Sequence, residues 1–377
     1  MRLHLLKILP VILVCLPLGG CWDSQELEER LSVTAVAVDQ DKGDKDQLVV
    51  NMEIPIPVNN TAAGSDGSGA VPAQILTGRG HTFSDAVSDV YYQSNQHLTF
   101  GDTRLIIIGE QLAKKGISKL LDAFGRDPEF RRREFMIVAK GDAQHFLKVK
   151  SPERVAAEYV IAFLKDKIGD RLILEHRGLN RFYTDKANPA KEPALNYLSA
   201  DGHTVKWEGL AVFKGTKMLG TLNRIESRSV VQLHDGTLGE EMNTLCIEKP
   251  GYIAIKPSAV KRKIRIGNRK GRAVFRITIK VLGDIVEQSC IGDLHQPTVL
   301  DRLSHHVAKA YENQAMNSMK IMQKNFRSDI CGLGNRIRAF HPKWWNEMNW
   351  TDEDFSKADV SIKYEVILKR PGVRIGI

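Results

Sequence analysis

The N-terminal segment of this chain has the features of a removable leader, which would leave the remaining residues to form the folded protein. Two basic residues precede an apolar run from Ile8 to Leu18, and Gly19-Gly20 stands directly before Cys21. A helix needs about 20 apolar residues to span a bilayer, so this run is too short to do so. It has the length of the apolar region of a secretory signal peptide, which is typically about 7–15 residues. We therefore predict that residues 1–20 are a signal peptide.

The small pair before Cys21 indicates the kind of signal peptide. A lipoprotein signal peptidase needs small residues there, because its narrow active site must admit them once the cysteine sulfur carries diacylglycerol. The pattern resembles the bacterial lipobox, so Cys21 is the predicted lipidation site and the first residue of the mature chain. Two or three acyl chains, such as palmitate, bind a membrane firmly because each buried methylene adds about 0.8 kcal/mol. The other interpretation is an ordinary signal peptide with an unmodified Cys21.

Composition limits the fold and the partners. The chain has 377 residues, enough for two or three domains, and 42% hydrophobic with 26% charged residues is typical of a folded body. No later apolar run reaches transmembrane length. The net charge of +9 would attract an exported protein to anionic headgroups. A positive net charge is also typical of nucleic-acid-binding proteins, but the predicted export of this chain argues against such a partner.

Hydrophobic periodicity predicts an α+β fold with mixed sheets and packed helices in two or three domains. We assign residues 21–200 to an N-terminal α/β region of one or two subdomains and residues 201–377 to a C-terminal α+β domain. The predicted strands of the first region are Leu31–Val38, Gln47–Val58, Arg104–Ile108 and Glu134–Ala139. Among them lies a helix capped by Thr82, with Asp85 three residues later, as in a capping box.

The C-terminal domain shows one long helix and a set of strands. A stripe of apolar residues predicts the helix over Pro297 to Phe326. The predicted strands are Gly209–Phe213, Lys217–Leu222, Ser227–Leu233, Val260–Ile266, Arg272–Val281 and Ala358–Leu368. In Arg272–Val281 the apolar side chains alternate with Arg276 and Lys280, which indicates a half-buried strand with a basic outer face.

Motifs for chemistry are missing or incomplete. The stretch Gly64–Gly69 has the composition of a hydrolase elbow without its spacing, and a linker is the better interpretation. Gly78-Arg79-Gly80 lacks the third glycine of a dinucleotide loop. His305 and His306 are adjacent, which on a helix places them about 100° apart and not on one face. We therefore predict no catalytic, cofactor-binding or metal-binding residue, and no enzyme activity.

Two basic clusters and three tryptophans are candidate contact residues. The clusters are Arg126 with Arg131–Arg133, and the denser set from Lys261 to Arg272. Each is either a solvated face or a contact for anionic lipid or an acidic partner. Trp344, Trp345 and Trp350 belong either to the core or to an interface, and burial of large apolar residues favours the core.

The cysteines allow at most one internal disulfide. Cys15 leaves with the signal peptide and Cys21 carries lipid, so Cys246, Cys290 and Cys331 remain. We expect buried free thiols, and a Cys246–Cys290 bridge is the alternative.

The order of several short motifs resembles a known family. Gly20-Cys21-Trp22-Asp23 followed by Glu26-Leu27 resembles the start of the spore germination lipoproteins of the Ger(x)C family, the C subunits of germinant receptors. Further matches are His97–Gly101, Ile106–Glu110, Leu112–Gly116, Phe124–Glu129, Gly209–Lys214, Gly220–Asn223, Asp329-Ile330, Gly332–Gly334, Pro342, Trp344 and Trp350. One departure is Leu333, where the family pattern has an aromatic residue between two glycines.

The resemblance implies a receptor subunit without catalytic activity. Family members are three-domain α+β proteins on the outer face of the spore inner membrane, and they assemble with a membrane-domain A subunit and a transporter-like B subunit. Small nutrients trigger germination through such receptors, and the resemblance leaves open whether this subunit binds the germinant. The alternatives are a solute-binding lipoprotein of a transporter, which would show two lobes and a hinge, and a cell-envelope enzyme.

Overall fold

The computed structural model of this chain is an α+β fold built on three β-sheets. The structure describes residues 30–56, 73–94, 96–150, 155–170, 172–173, 178–233, 237–246, 250–289 and 296–369. The predicted signal peptide, the predicted lipidation site Cys21, the stretch Gly64–Gly69 and Cys290 lie outside the described residues. The α+β class with mixed sheets and packed helices is confirmed.

An eight-stranded mixed sheet forms the larger half of the described fold. Its strands are β2 (Ala35–Gln40), β3 (Leu48–Pro55), β4 (Ala73–Gly80), β6 (Leu105–Gly109), β7 (Phe135–Ala139), β8 (Ala194–Ala200), β9 (Val205–Lys214) and β10 (Lys217–Asn223). The order across the sheet is β10-β9-β8-β7-β6-β2-β3-β4. The four central strands run parallel, and both edges are antiparallel. A separate parallel pair joins β1 (Arg30–Ser32) to β5 (His97–Thr99).

Helices cover both faces of this sheet. One face packs against α1 (Phe83–Tyr91), α2 (Glu110–Lys115), α3 (Ser118–Arg126) and α5 (Leu179–Lys186). The other packs against the 3₁₀ segment Ala143–Lys148, α4 (Ala156–Gly169) and the C-terminal elements. Burial on both faces explains why β6 is apolar throughout, as a parallel central strand should be.

A four-stranded sheet and a long helix form the C-terminal part. The strands, in the order β11-β12-β13-β14, are Met242–Leu245, Tyr252–Arg269, Arg272–Gln288 and Asp359–Lys369. The remaining helices are α6 (Arg224–Gln232), α7 (Pro297–Lys320), α8 (Leu333–Phe340), α9 (Pro342–Trp345) and α10 (Phe355–Lys357), with π-helical turns at Ile321–Phe326 and Trp350–Asp354. The predicted long helix is therefore confirmed as α7 and the π turn after it. Its apolar stripe packs on the inner face of the sheet.

The core is continuous between the two large sheets. Ile107 of the eight-stranded sheet, Phe275 of the four-stranded sheet and Val307 of α7 belong to one buried cluster. The boundary predicted at residue 200 falls between β8 and β9, which pair antiparallel in one sheet. The division into residues 21–200 and 201–377 stays a prediction.

Local signals succeeded in one helix and failed in another. Thr82 caps α1 as predicted, because its hydroxyl accepts a hydrogen bond from the Asp85 backbone N–H at 3.1 Å. The strand predicted over Ser227–Leu233 is wrong, because these residues continue helix α6. That helix starts from a complete capping box in which Asn223 and Glu226 each accept the other's backbone N–H.

The cysteines differ from the expectation in part. Cys331 forms no disulfide within the described residues, as expected, and it is half-buried where burial was expected. Cys246 is disulfide-bonded, so the expectation of a free thiol is wrong there. None of the helices in the described ranges has both the length and the hydropathy to traverse a bilayer.

Candidate functional site

The outward side of the four-stranded sheet carries most of the denser basic cluster. We call this side the outer face. Strand alternation places apolar residues such as Phe275 and Ile279 inward, where both are fully buried, and leaves Arg276 and Lys280 exposed between them. The basic face predicted for this strand is confirmed. Register then adds the exposed cations of the neighbouring strands, which are Lys261, Lys263, Arg265, Arg269, Arg272 and Lys363.

The register of β12 and β13 sets like charges directly opposite each other. The facing pairs are Lys261 with Lys280, Arg265 with Arg276, and Arg269 with Arg272. Like charges at facing positions destabilise a sheet. Within the described residues, Lys280 alone of these six forms an ion pair, with Glu365 at 2.8 Å. The positive charge of the outer face is therefore largely uncompensated.

The other end of the outer face carries exposed apolar side chains beside charged ones. Leu245, Tyr252, Val286 and Ile367 lie there, each between 51% and 63% exposed. Leu245 pairs with Tyr252 in register, and Ile367 pairs with Leu282. The row of Lys256, Asp284 and Lys369 lies between Ile367 and the other three. We call these four side chains the apolar patch, because exposed large apolar side chains grouped on one protein face mark interaction surfaces.

A second charged region is buried where the two sheets join. Asp329 is 1% exposed, and its carboxylate accepts three hydrogen bonds, from the backbone N–H groups of Gly332 at 2.8 Å and Gly334 at 2.9 Å, and from Trp350 Nε1 at 2.9 Å. Its backbone carbonyl accepts the N–H of Glu192. We call Glu192, Asp329, Gly332, Gly334 and Trp350 the junction.

The junction explains the glycine motif that the sequence showed. Gly332 has a φ of 72°, in the left-handed region that favours glycine. A Cβ on Gly334 would lie 2.3 Å from Trp350 Nε1 and 2.8 Å from the Ala190 carbonyl oxygen, so no side chain fits. Leu333 between them is buried in the core, so an aliphatic side chain fills the place of the aromatic one.

Burial also changes the acidity of the junction. Desolvation raises the pKa of the Asp329 carboxyl, and the N–H donors of Gly334 and Trp350 oppose that shift. Desolvation likewise raises the pKa of Glu192, whose carboxylate accepts the Gly215 N–H at 2.7 Å. These contacts tie the turn between β9 and β10 to the C-terminal part. The junction therefore has a structural role, because each of the acceptors named above accepts a hydrogen bond from the protein itself.

An open cleft of about 560 Å³ lies beside these regions, between α4, β9 and β12. Its charged lining residues are Lys167, Asp170, Lys206, Arg224, Glu240, Glu241 and Lys256. Arg224 is already paired with Glu240 at 3.0 Å. Because both signs of charge line the cleft, its electrostatics select no class of ligand.

The other candidate residues from the sequence lie at positions that indicate no binding site. Arg126 and Arg131–Arg133 are exposed, and Arg126 pairs with Asp122 on its own helix. His305 is exposed on α7, and no group of metal-ligating side chains occurs in the described part of the chain. Trp350 lies in the core, as predicted, and Trp344 and Trp345 are half-buried against it.

Sequence reasoning missed the apolar patch of the outer face and the junction. The apolar patch draws one residue from each of four strands, so no stretch of sequence shows it. The junction joins three segments that are far apart in the chain. The motif around Asp329 was visible, but nothing local linked it to Glu192.

Two family models match the chain in succession. The model described as "Spore germination protein N-terminal domain" matches residues 23–200, and the model described as "Spore germination B3/ GerAC like, C-terminal" matches residues 208–372. Three curated relatives come from Bacillus subtilis (strain 168). Spore germination protein B3 is 26% identical over 96% of both chains. Spore germination protein KC is 25% identical over 99% of this chain and 97% of its own, and spore germination protein YndF is 24% identical over 99% of both.

One solved structure shares the fold. The crystal structure of the GerBC protein aligns with a TM-score of 0.58, over 88% of this chain and 96% of that chain, at 21% sequence identity. Similarity at this level of identity shows a common architecture and supports no transfer of residue roles.

Proposed function

We infer the function of this chain from one premise: it belongs to the Ger(x)C family of spore germination proteins, whose two models together match nearly all of it after residue 22. The chain therefore has a role in spore germination. The relatives described above are named as germination proteins and not as enzymes, and this chain is not an enzyme.

We propose that it is a lipid-anchored subunit of a nutrient receptor. Cys21 would carry the lipid on the outer face of the spore inner membrane, and the folded body would assemble with the receptor's A and B membrane subunits. The observation that carries this proposal is the match to the family over nearly the whole length of the chain. The small pair before Cys21 supports the anchor.

Anchoring has a physical advantage for such a subunit. A chain held at the bilayer meets integral neighbours in a thin layer and not in a volume, which raises its effective concentration without new contacts. Assembly and signal relay then need surfaces and not a catalytic centre. This role is preferred to that of a solute-binding lipoprotein, because the relatives bear germination names.

Replacement of the anchoring sulfur tests the proposal. The variant Cys21→Ala should lose lipid labelling, leave the membrane fraction of spores and impair the nutrient response. Cys331→Ala is the matched control, because it removes a cysteine sulfur within the folded body and should stay with the membrane. Membrane retention of Cys21→Ala equal to that of the control would refute the anchor.

A second measurement tests the partners. Solubilised spore membranes should yield the A and B subunits together with this chain when it is purified in mild detergent. Purification of the chain alone, from membranes in which both subunits are detected, would count against assembly. The same preparation tests whether Cys21→Ala prevents association or merely weakens it.

A further inference from the structure

We propose that the outer face of the four-stranded sheet docks on an anionic lipid bilayer and so orients the anchored body. The proposal rests on the proposed function only for the presence of a membrane beside the protein. The face itself supplies the recognition. It combines a field of cations, most of them without a carboxylate partner among the described residues, with the apolar patch. The surface of an anionic bilayer offers a counterpart to each.

The cations form an extended field and not a pocket. From the Arg269–Arg272 pair to the Lys261–Lys280 pair the hairpin covers about 26 Å, at roughly 3.3 Å per residue. Exposed cations lie along this length, where Asp359 and Glu365 on β14 are the carboxylates of the same face, and Asp284 lies beyond it between Lys256 and Lys369. A planar array of headgroups can meet charges spread in this way, whereas a small anion can meet one or two.

The like-charge pairs favour a role of these cations in binding over a role in stabilising the sheet. Three facing pairs of cations oppose the stability of their own hairpin. A single Glu at Arg265 would convert one repulsion into an attraction. Apposition to anionic headgroups offsets the repulsion, because each Lys or Arg near the surface raises partitioning onto the bilayer by about fivefold.

The apolar patch favours a bilayer over an acidic protein. Tyr252 carries an apolar ring and a polar hydroxyl, which suits the boundary between headgroups and acyl chains. Leu245, Val286 and Ile367 around it can enter the same layer. An acidic protein surface would satisfy the cations and leave these four side chains without a defined partner.

The proposed anchor keeps the body within reach of the membrane. Arg30, the first described residue, comes nine positions after Cys21, and this segment fully extended spans at most about 32 Å. Some face of the body must therefore lie close to the bilayer. The outer face is the one whose charge and exposed apolar side chains match it.

Vesicle binding by the mature chain without acyl groups tests the proposal. The sample is residues 21–377 carrying Cys21→Ala, so any binding comes from the body and not from lipid. Vesicles are phosphatidylcholine alone, or equal parts phosphatidylcholine and phosphatidylglycerol. We expect cosedimentation with the anionic vesicles at about 0.1 M salt and its loss at about 1 M salt, where the Debye length falls from roughly 10 Å to roughly 3 Å.

Charge reversal assigns the binding to the face. Lys263→Glu, Arg265→Glu and Arg276→Glu together should lower partitioning by about 100-fold or more, because each cation near the surface contributes about fivefold. The matched control reverses three exposed lysines elsewhere, Lys119→Glu, Lys217→Glu and Lys343→Glu. It changes the net charge equally and should retain most of the binding. If the first triple variant does not fold, neutral Gln at the same three positions should still lower partitioning by about 100-fold.

The apolar patch has its own variant. Tyr252→Ala with Ile367→Ala should lower partitioning by a smaller factor, about tenfold, because two partly inserted side chains are shortened. Equal binding to neutral and anionic vesicles, or equal loss in the face and control triples, would overturn the proposal. So would full vesicle binding by a face variant that no longer retains its receptor subunits, since that result would identify an acidic protein as the occupant.

The result of the vesicle-binding assay does not depend on the proposed lipid anchor. The assayed chain carries no lipid, so failure to bind anionic vesicles leaves the acylation of Cys21 to be judged separately. Conversely, an unmodified Cys21 in spores would end the proposed function and leave a positive vesicle result intact.

Discussion

The junction and the outer face hold charge in opposite ways. In the junction, the buried Asp329 carboxylate is surrounded by three N–H donors supplied by the protein. On the outer face, Arg265 faces Arg276 across the hairpin and neither has a carboxylate partner among the described residues. The first arrangement stabilises the fold, and the second opposes it slightly.

This difference separates residues that hold the body together from residues available to a partner. A buried acceptor whose hydrogen bonds are all made within the protein is not available to bind a ligand. An exposed cation without a partner remains free to bind an anion. Substitutions in the two regions should therefore differ both in size and in sign.

The largest expected effect is the loss of the junction carboxylate. Asp329→Ala leaves three buried N–H donors unsatisfied and a small cavity, so the free energy of unfolding should fall by about 4 kcal/mol. Urea denaturation measures it. The control Asp359→Ala removes an exposed carboxylate from the outer face and should change stability by less than about 0.5 kcal/mol. Equal effects at the two positions would remove the contrast between the regions.

Crowding at the junction should have the next largest effect. Gly334→Ala places a Cβ 2.3 Å from Trp350 Nε1, so the indole must shift and its bond to Asp329 must weaken. We expect a loss of about 3 kcal/mol, measured in the same way. Gly267→Ala is the control, because a Cβ there meets one atom at 3.9 Å. If Gly334→Ala were as stable as its control, the tight packing assigned to the motif would be wrong.

The pH dependence of stability should change when Glu192 becomes neutral. Its raised folded pKa means that the folded state binds more protons than the unfolded state as pH rises above the ordinary value of 4.5. Stability of the natural protein therefore falls with rising pH through that window. Glu192→Gln keeps the shape of the side chain and abolishes this term. The unfolding free energy of the variant should therefore increase relative to that of the natural protein as pH increases. Parallel plots of unfolding free energy against pH for the two proteins would contradict a raised pKa of Glu192.

The smallest expected effect has the opposite sign. Arg265→Glu turns the facing pair with Arg276 into opposite charges, so the unfolding free energy should rise by about 0.5 kcal/mol. Vesicle binding should weaken in the same variant. Lys119→Glu, on the exposed side of α3, should change neither property appreciably. A destabilised Arg265→Glu with unchanged vesicle binding would reverse the proposed division between the regions.

Periodicity predicted the faces of single elements well. The alternation in β13 located the basic outer face, and the apolar stripe located α7, because side-chain direction follows directly from the repeat of a strand or a helix. Helix α6 was missed although the capping signal, Asn223 followed by Glu226, was present. Its valines favoured a strand, and tertiary packing overrode that preference.

Arrangements between segments were beyond the sequence. The apolar patch needs the register of four strands, and the junction needs Glu192 beside Asp329. Periodicity states which side of a strand is buried and does not state its neighbours. For the same reason the pairing of β8 with β9 across residue 200 could not be read from the chain.

The most direct test of the proposed anchoring is the mass of the N-terminal peptide of the native protein purified from spore membranes. We predict a peptide that begins at Cys21 and carries diacylglycerol on its sulfur. A peptide with an unmodified Cys21, or one that continues upstream through Gly20, would contradict the lipid anchor.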